Sequence, residues 1–135
     1  MSVLDRDRVH STLGQKLGDR FLQYAHEPAG DEAQTLLVRI DAHVAEVRQV
    51  ASSKAGGSRV DLKLADTIAA ACKRLLVRID RCPADGQAAI VGAVRYFLDT
   101  HDIDRDDGPR GFADDAEVVN PVQGFVAPDL PRIPI

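Results

Sequence analysis

The feature that most constrains this chain is an apolar seam in its second quarter. Ala33, Leu37, Ile40, Val44, Val47 and Ala51 recur at alternating intervals of four and three residues. That rhythm holds one stripe along an α-helix and needs a partner helix to cover it. Asp31 precedes the seam with Gln34 three residues on, a pattern that starts helices. The segment ends in Ser52-Ser53-Lys54-Ala55-Gly56-Gly57-Ser58, the composition of a connector. A chain that carries such a helix must supply others to bury it.

Three further helices follow from the same periodicity. The first is expected over about Val3–Ala25, where Val9, Leu13, Leu17 and Phe21 recur every four residues and Ser2 and Asp5 suit its start. Glu27-Pro28-Ala29-Gly30 closes it. The third covers about Val60–Asp80, with Leu64, Ile68, Cys72, Leu75 and Ile79 facing inward. Its basic end, Lys73, Arg74, Arg78 and Arg81, suits the negative pole of a helix and reads as a solvated terminus. The fourth covers about Gln87–Leu98, with Pro83 near its start, and its nearly uncharged centre predicts the most buried helix. Leu36-Leu37-Val38-Arg39-Ile40-Asp41 recurs as Leu75-Leu76-Val77-Arg78-Ile79-Asp80, which reads as two core helices converging on one pattern.

The last third differs in kind. A short helical turn over Ala116–Val119, capped by Asp114, is expected there. Beyond Asn120 the prolines at 121, 128, 131 and 134 predict an extended, irregular stretch. The fold class is therefore all-α: a mainly antiparallel bundle of four long helices with a short C-terminal helix and a Pro-rich tail. Residues 1–119 make one helical domain, and 120–135 the tail.

Charge and composition narrow the function. Residues 1–95 carry 14 basic and 12 acidic side chains, whereas residues 96–135 carry 3 basic and 9 acidic. No strongly basic stripe exists, which argues against general nucleic-acid binding. No apolar run approaches the ~20 residues of a membrane span, and Met1-Ser2-Val3-Leu4-Asp5-Arg6 lacks a signal-peptide pattern, so a cytoplasmic location is expected. Cys72 and Cys82 lie ~15 Å apart on a continuous helix, too far for a disulfide, and read as free thiols. His10, His26, His43 and His101 match no metal-site spacing. His43 sits beside Val44, at the edge of the seam.

The densest chemistry is Asp102-Ile103-Asp104-Arg105-Asp106-Asp107-Gly108, followed by Asp114-Asp115. Alternating carboxylates on a loop can converge on a hard cation such as calcium or magnesium. The EF-hand pattern fails, because Asp107 and Ala113 stand where it requires Gly and Glu. Asp102, Asp104, Asp106 and Asp114 are thus candidate ligands of a looser site, against a bland reading in which they cap helices and accept turn hydrogen bonds.

The same region carries a resemblance. Tyr96, Asp102, Asp106, Pro109, Gly111, Asp114 and Asp115 fall in an order that resembles the YkvA-like domain of unknown function, over about residues 90–119. The family's first-turn proline is missing, since Asp104-Arg105 stands there. The resemblance implies a small bacterial helical module with no established reaction.

The expectation is a non-enzymatic module for protein–protein interaction, an adaptor or assembly factor with no cofactor. Its partner, another protein or a second copy, would be met through the helix seam and the tail. Phe125, Val126, Leu130 and Ile133 are the candidate partner-binding residues. The alternative is a divalent-cation sensor or metal-assisted hydrolase built on the acidic turn 102–115.

Overall fold

The computed structural model describes residues 5–53, 62–98 and 113–134. Every regular element among them is helical: α1 Arg6–Leu13, α2 Gln15–Tyr24, α3 Glu32–Ser53, α4 Leu62–Val77, a 3-10 turn Ile79–Arg81, α5 Ala84–Leu98 and α6 Ala113–Val126. None of the described helices is long and apolar enough to cross a membrane.

The expected first helix is two helices. Asp5 starts α1, its carboxylate accepting the Asp7 N–H at 3.0 Å. Gly14 ends it with φ at +81°, a region open to glycine and strained for other residues. The chain turns there, and α1 folds back on α2. The two helices approach closely because Gly18 has no Cβ; one built there would lie 2.8 Å from His10 Cδ2. His10 Nε2 meets Asp19 Oδ1 at 2.6 Å across the same contact.

The long seam helix forms as α3, but its buried line is rotated from the expected one. Leu36, Ile40, His43 and Val47 point inward, while Ala33, Leu37 and Val44 are only partly buried. Adjacent apolar residues at 36 and 37 allow either register. Packing selects the one that stacks His43 on Phe97 of α5, ring centres 4.9 Å apart and planes at 79°. Arg48 pairs with Asp66, and Lys73 with Asp41. Partners that descend along one helix as they ascend along the other make α3 and α4 antiparallel neighbours.

In α4, Ile68, Cys72 and Leu75 of the expected stripe are buried and Leu64 is partly so, Ala65, Ala69 and Leu76 are buried beside them, and Ile79 continues the stripe into the 3-10 turn. The recurring hexapeptides occupy matched environments. Leu36 and Leu75 are buried, Ile40 and Ile79 are buried, and Val38 and Val77 are exposed.

The centre of the molecule is α5, which packs against α2, α3, α4 and α6. All its residues from Ala88 to Leu98 except Arg95 are buried. Small residues make such crowding possible. A Cβ on Gly92 would lie 2.8 Å from Phe21 Cε1 and 3.0 Å from Ala25 Cβ of the α2 segment. Arg95, the one charged side chain on its inner stretch, is matched by Glu32 at the start of α3. That carboxylate accepts Arg95 Nε at 3.1 Å, the Ala29 N–H at 3.2 Å and His26 Nε2 at 2.9 Å. Burial alone would raise the Glu32 pKa; the guanidinium, the amide and the imidazole outweigh it and hold the carboxyl below its ordinary value.

Candidate functional site

The last helix corrects the sequence expectation most. Neither a single turn over 116–119 nor an extended chain from 120 is found; α6 runs from Ala113 to Val126 with Pro121 inside it. Proline removes one intrahelical hydrogen bond, that to the carbonyl four residues back. The burial of Val118, Val119, Val122 and Gln123 on α6 offsets that loss, since tertiary packing outweighs propensity. Two opposite flanks of α6 carry the features that bear on function.

One flank faces α1. An open groove of about 390 Å³ lies between them, lined by Val9, Leu13, Val118, Val122 and Phe125 together with Arg8 and Thr12. Phe125 stands at its lip, 39% exposed. Gly124 beside it has nothing within 4 Å of a built Cβ, so the lip is unobstructed.

The other flank is covered by the tail. Ala127 accepts the Leu130 N–H at 3.0 Å and reverses the chain. Residues 131–134 then run back along α6. Asn120 holds Ile133 twice, donating to its carbonyl at 3.0 Å and accepting its N–H at 2.8 Å. Gln123 donates to the Pro131 carbonyl at 2.6 Å. Arg78, just after α4, grips Asp129 through two bonds of 2.8 and 2.9 Å. That contact holds the Asp129 carboxyl below, and the guanidinium above, its ordinary value.

The four residues expected to bind a partner are thus divided. Phe125 is exposed at the groove. Val126 packs toward Gly86, where a built Cβ would meet its Cγ1 at 3.3 Å. Leu130 is partly buried against the core, and Ile133 is 2% exposed within it. An outward role for Ile133 requires the tail to detach.

Asp102, Asp104 and Asp106 lie outside the described residues. Asp114 sits in the first turn of α6, where the helix N-terminus favours negative charge. Among the described residues no group of three or more His, Cys, Asp or Glu side chains is placed to hold a metal ion.

Nucleophilic chemistry finds little support. Cys72 is fully buried, and burial with the nearby Asp115 charge pushes its thiol far above the range where thiolate forms. Cys82 is partly buried and also raised, burial outweighing the Arg78 charge. Both thiols are free. His10 is engaged by Asp19 and His26 by Glu32. His43 is 3% exposed, and neither ring nitrogen has a hydrogen-bond partner among the described residues. Burial lowers its pKa, with Glu46 opposing and Arg39 adding to the shift.

Sequence reasoning missed the Asn120–Gln123 pair. Two amides three residues apart among valines that must face inward were the available signal. The chain matches no protein-family model, no curated protein and no solved structure.

Proposed function

We propose that this chain is a non-enzymatic helical module for protein–protein interaction, an adaptor or assembly factor similar to the bacterial YkvA-like domains, and that the α1–α6 groove is its partner surface. One observation carries the reading. An apolar groove of about 390 Å³ stands open beside a phenylalanine that is 39% exposed. A volume of that size suits one or two apolar anchor side chains, the arrangement by which interfaces concentrate their affinity. Arg8 at the rim favours an acidic residue next to the anchor. The antiparallel α3–α4 pair supports the four-helix bundle reading, with α1 as an added arm that makes one wall of the groove.

A photo-crosslinking residue in place of Phe125, introduced into the full chain in its host cell, tests the proposal. The expected outcome is one dominant adduct that is lost when Leu13→Glu charges the groove and is absent from a control label at Arg81. Identical adducts from positions 125 and 81 would refute the groove as the partner surface. An adduct between two copies would identify the partner as the chain itself.

A further inference from the structure

The hydrogen bonds that Asn120 and Gln123 of α6 make to the tail all go to its backbone, and that points to what else can lie in its place. In an extended chain, the N–H and C=O of one residue point to the same side, and those of the residue two positions on point there too. Ile133 and Pro131 are such a pair. On α6, Asn120 and Gln123 lie one turn apart, a spacing of about 5–6 Å that side chains of this length match to the ~6.6 Å step of the tail. Asn120 takes both backbone groups of Ile133. Gln123 binds the carbonyl of residue 131 through its Nε2, which leaves its Oε1 as the amide's acceptor for an N–H of that residue. Residue 131 is proline and has no N–H to give. Gln123 is 2% exposed, and its Oε1 has no hydrogen-bond partner among the described residues. A buried acceptor on the same amide that holds the residue-131 carbonyl is left unfilled by the chain's own tail.

We propose that Asn120 and Gln123 form a two-point clamp for an extended peptide backbone, which the tail occupies as an imperfect internal ligand. The intended occupant is an extended segment of another protein. It carries any residue but proline opposite Gln123, an aliphatic anchor two residues later in the pocket of Ile133, and an acidic residue four before the anchor to meet Arg78. That sequence keeps the tail's bonds to Arg78, Asn120 and Gln123 and its Ile133 anchor, and adds the missing bond. The proposal rests on the reading of the chain as an interaction module but uses the opposite flank of α6, so either surface can fail its test alone.

The test releases the tail in the full chain with Ile133→Asp, which places an unpaired charge in the buried pocket. Two labelled peptides of residues 127–135, one with Pro131 and one with Ala at that position, are then titrated by fluorescence anisotropy. Both bind, and the Ala peptide binds about five-fold tighter, the effect of about one net hydrogen bond. Gln123→Met in the same chain erases that difference. No binding by either peptide, or equal affinities, overturns the proposal. A second measurement leaves the tail in place. Pro131→Ala slows amide exchange of Ile133 about five-fold, because Gln123 then gains its donor. The slowing vanishes in the Gln123→Met background. Unchanged or faster exchange, or the same slowing in both backgrounds, overturns it.

Discussion

Replacing His43 with leucine is expected to stabilise this protein, against the usual direction of a core substitution. The imidazole is 3% exposed, and both ring nitrogens lack hydrogen-bond partners among the described residues. Leaving a buried polar group unpaired costs about 1–3 kcal/mol. Against that stands the edge contact with Phe97 at 4.9 Å, an arrangement worth about 0.5–1.5 kcal/mol. The balance favours His43→Leu by about 1 kcal/mol at pH 7, a rise of about 4 °C in melting midpoint for a chain of this size. The pH dependence is the sharper signature. Burial depresses the folded pKa of His43 below its ordinary value of about 6.5. Below pH 6.5 the unfolded chain therefore binds this proton more readily than the folded one. Stability attached to His43 is complete above pH 6.5 and is lost as pH falls toward the folded pKa, at no more than ~1.36 kcal/mol per pH unit. The advantage of His43→Leu, about 1 kcal/mol at pH 7, thus widens as pH falls below 6.5. Thermal melts of both proteins at pH 5, 6, 7 and 8, followed by circular dichroism, measure this directly. A variant less stable at pH 7, or a gap that stays constant from pH 8 to pH 5, would refute the reasoning.

Two further expectations concern the packing of α5. Gly92→Ala costs about 1–3 kcal/mol despite the better helix propensity of alanine, because the new methyl meets Phe21 and the Ala25 backbone at 2.8 and 3.1 Å. A urea midpoint equal to that of the unaltered protein would show that α2 shifts freely. Glu32→Gln costs about 2 kcal/mol at pH 7, since charged hydrogen bonds from Arg95 are weakened. The Glu32 pKa is depressed in the folded state, so its contribution is present above about pH 4.5 and is lost as pH falls through the folded value. The gap between the urea midpoints of the two proteins should narrow as pH falls below about 4.5; a gap unchanged by acid would contradict the assignment.

Helix identity was legible wherever one apolar stripe had one way to face. Ile68, Cys72, Leu75 and Ile79 lie buried along one line, and the uncharged centre of α5 is the most enclosed stretch. Legibility ended where local rules met competing contacts. Gly14 keeps the four-residue rhythm of its neighbours, so the stripe Val9-Leu13-Leu17-Phe21 hides a reversal that only its positive φ reveals. In α3, apolar neighbours at 36 and 37 left the register to be decided by α5, which moved His43 from the edge of the seam to its centre. In α6, Pro121 announces a helix end by local chemistry, yet burial on both sides of it carries the helix on to Val126. Of the residues read as partner-binding, Phe125 is exposed, whereas Ile133 is turned inward, its backbone held by Asn120, a contact no local pattern announces. The acidic cluster Asp102, Asp104 and Asp106 falls outside the described residues.

The crowding of α5 has a consequence for biosynthesis. Its cover comes from both directions along the chain: α2, α3 and α4 precede it and α6 follows. A ribosome releases Ala88–Leu98 before the residues that shield them on the α6 side. At ~5–20 residues per second, that nearly uncharged stretch waits on the order of seconds for Val118, Val119 and Val122 to emerge. During that interval the nascent chain displays its stickiest surface. Slowing translation between codons 98 and 126 lengthens the wait and raises the demand for a chaperone, while the finished protein is unchanged.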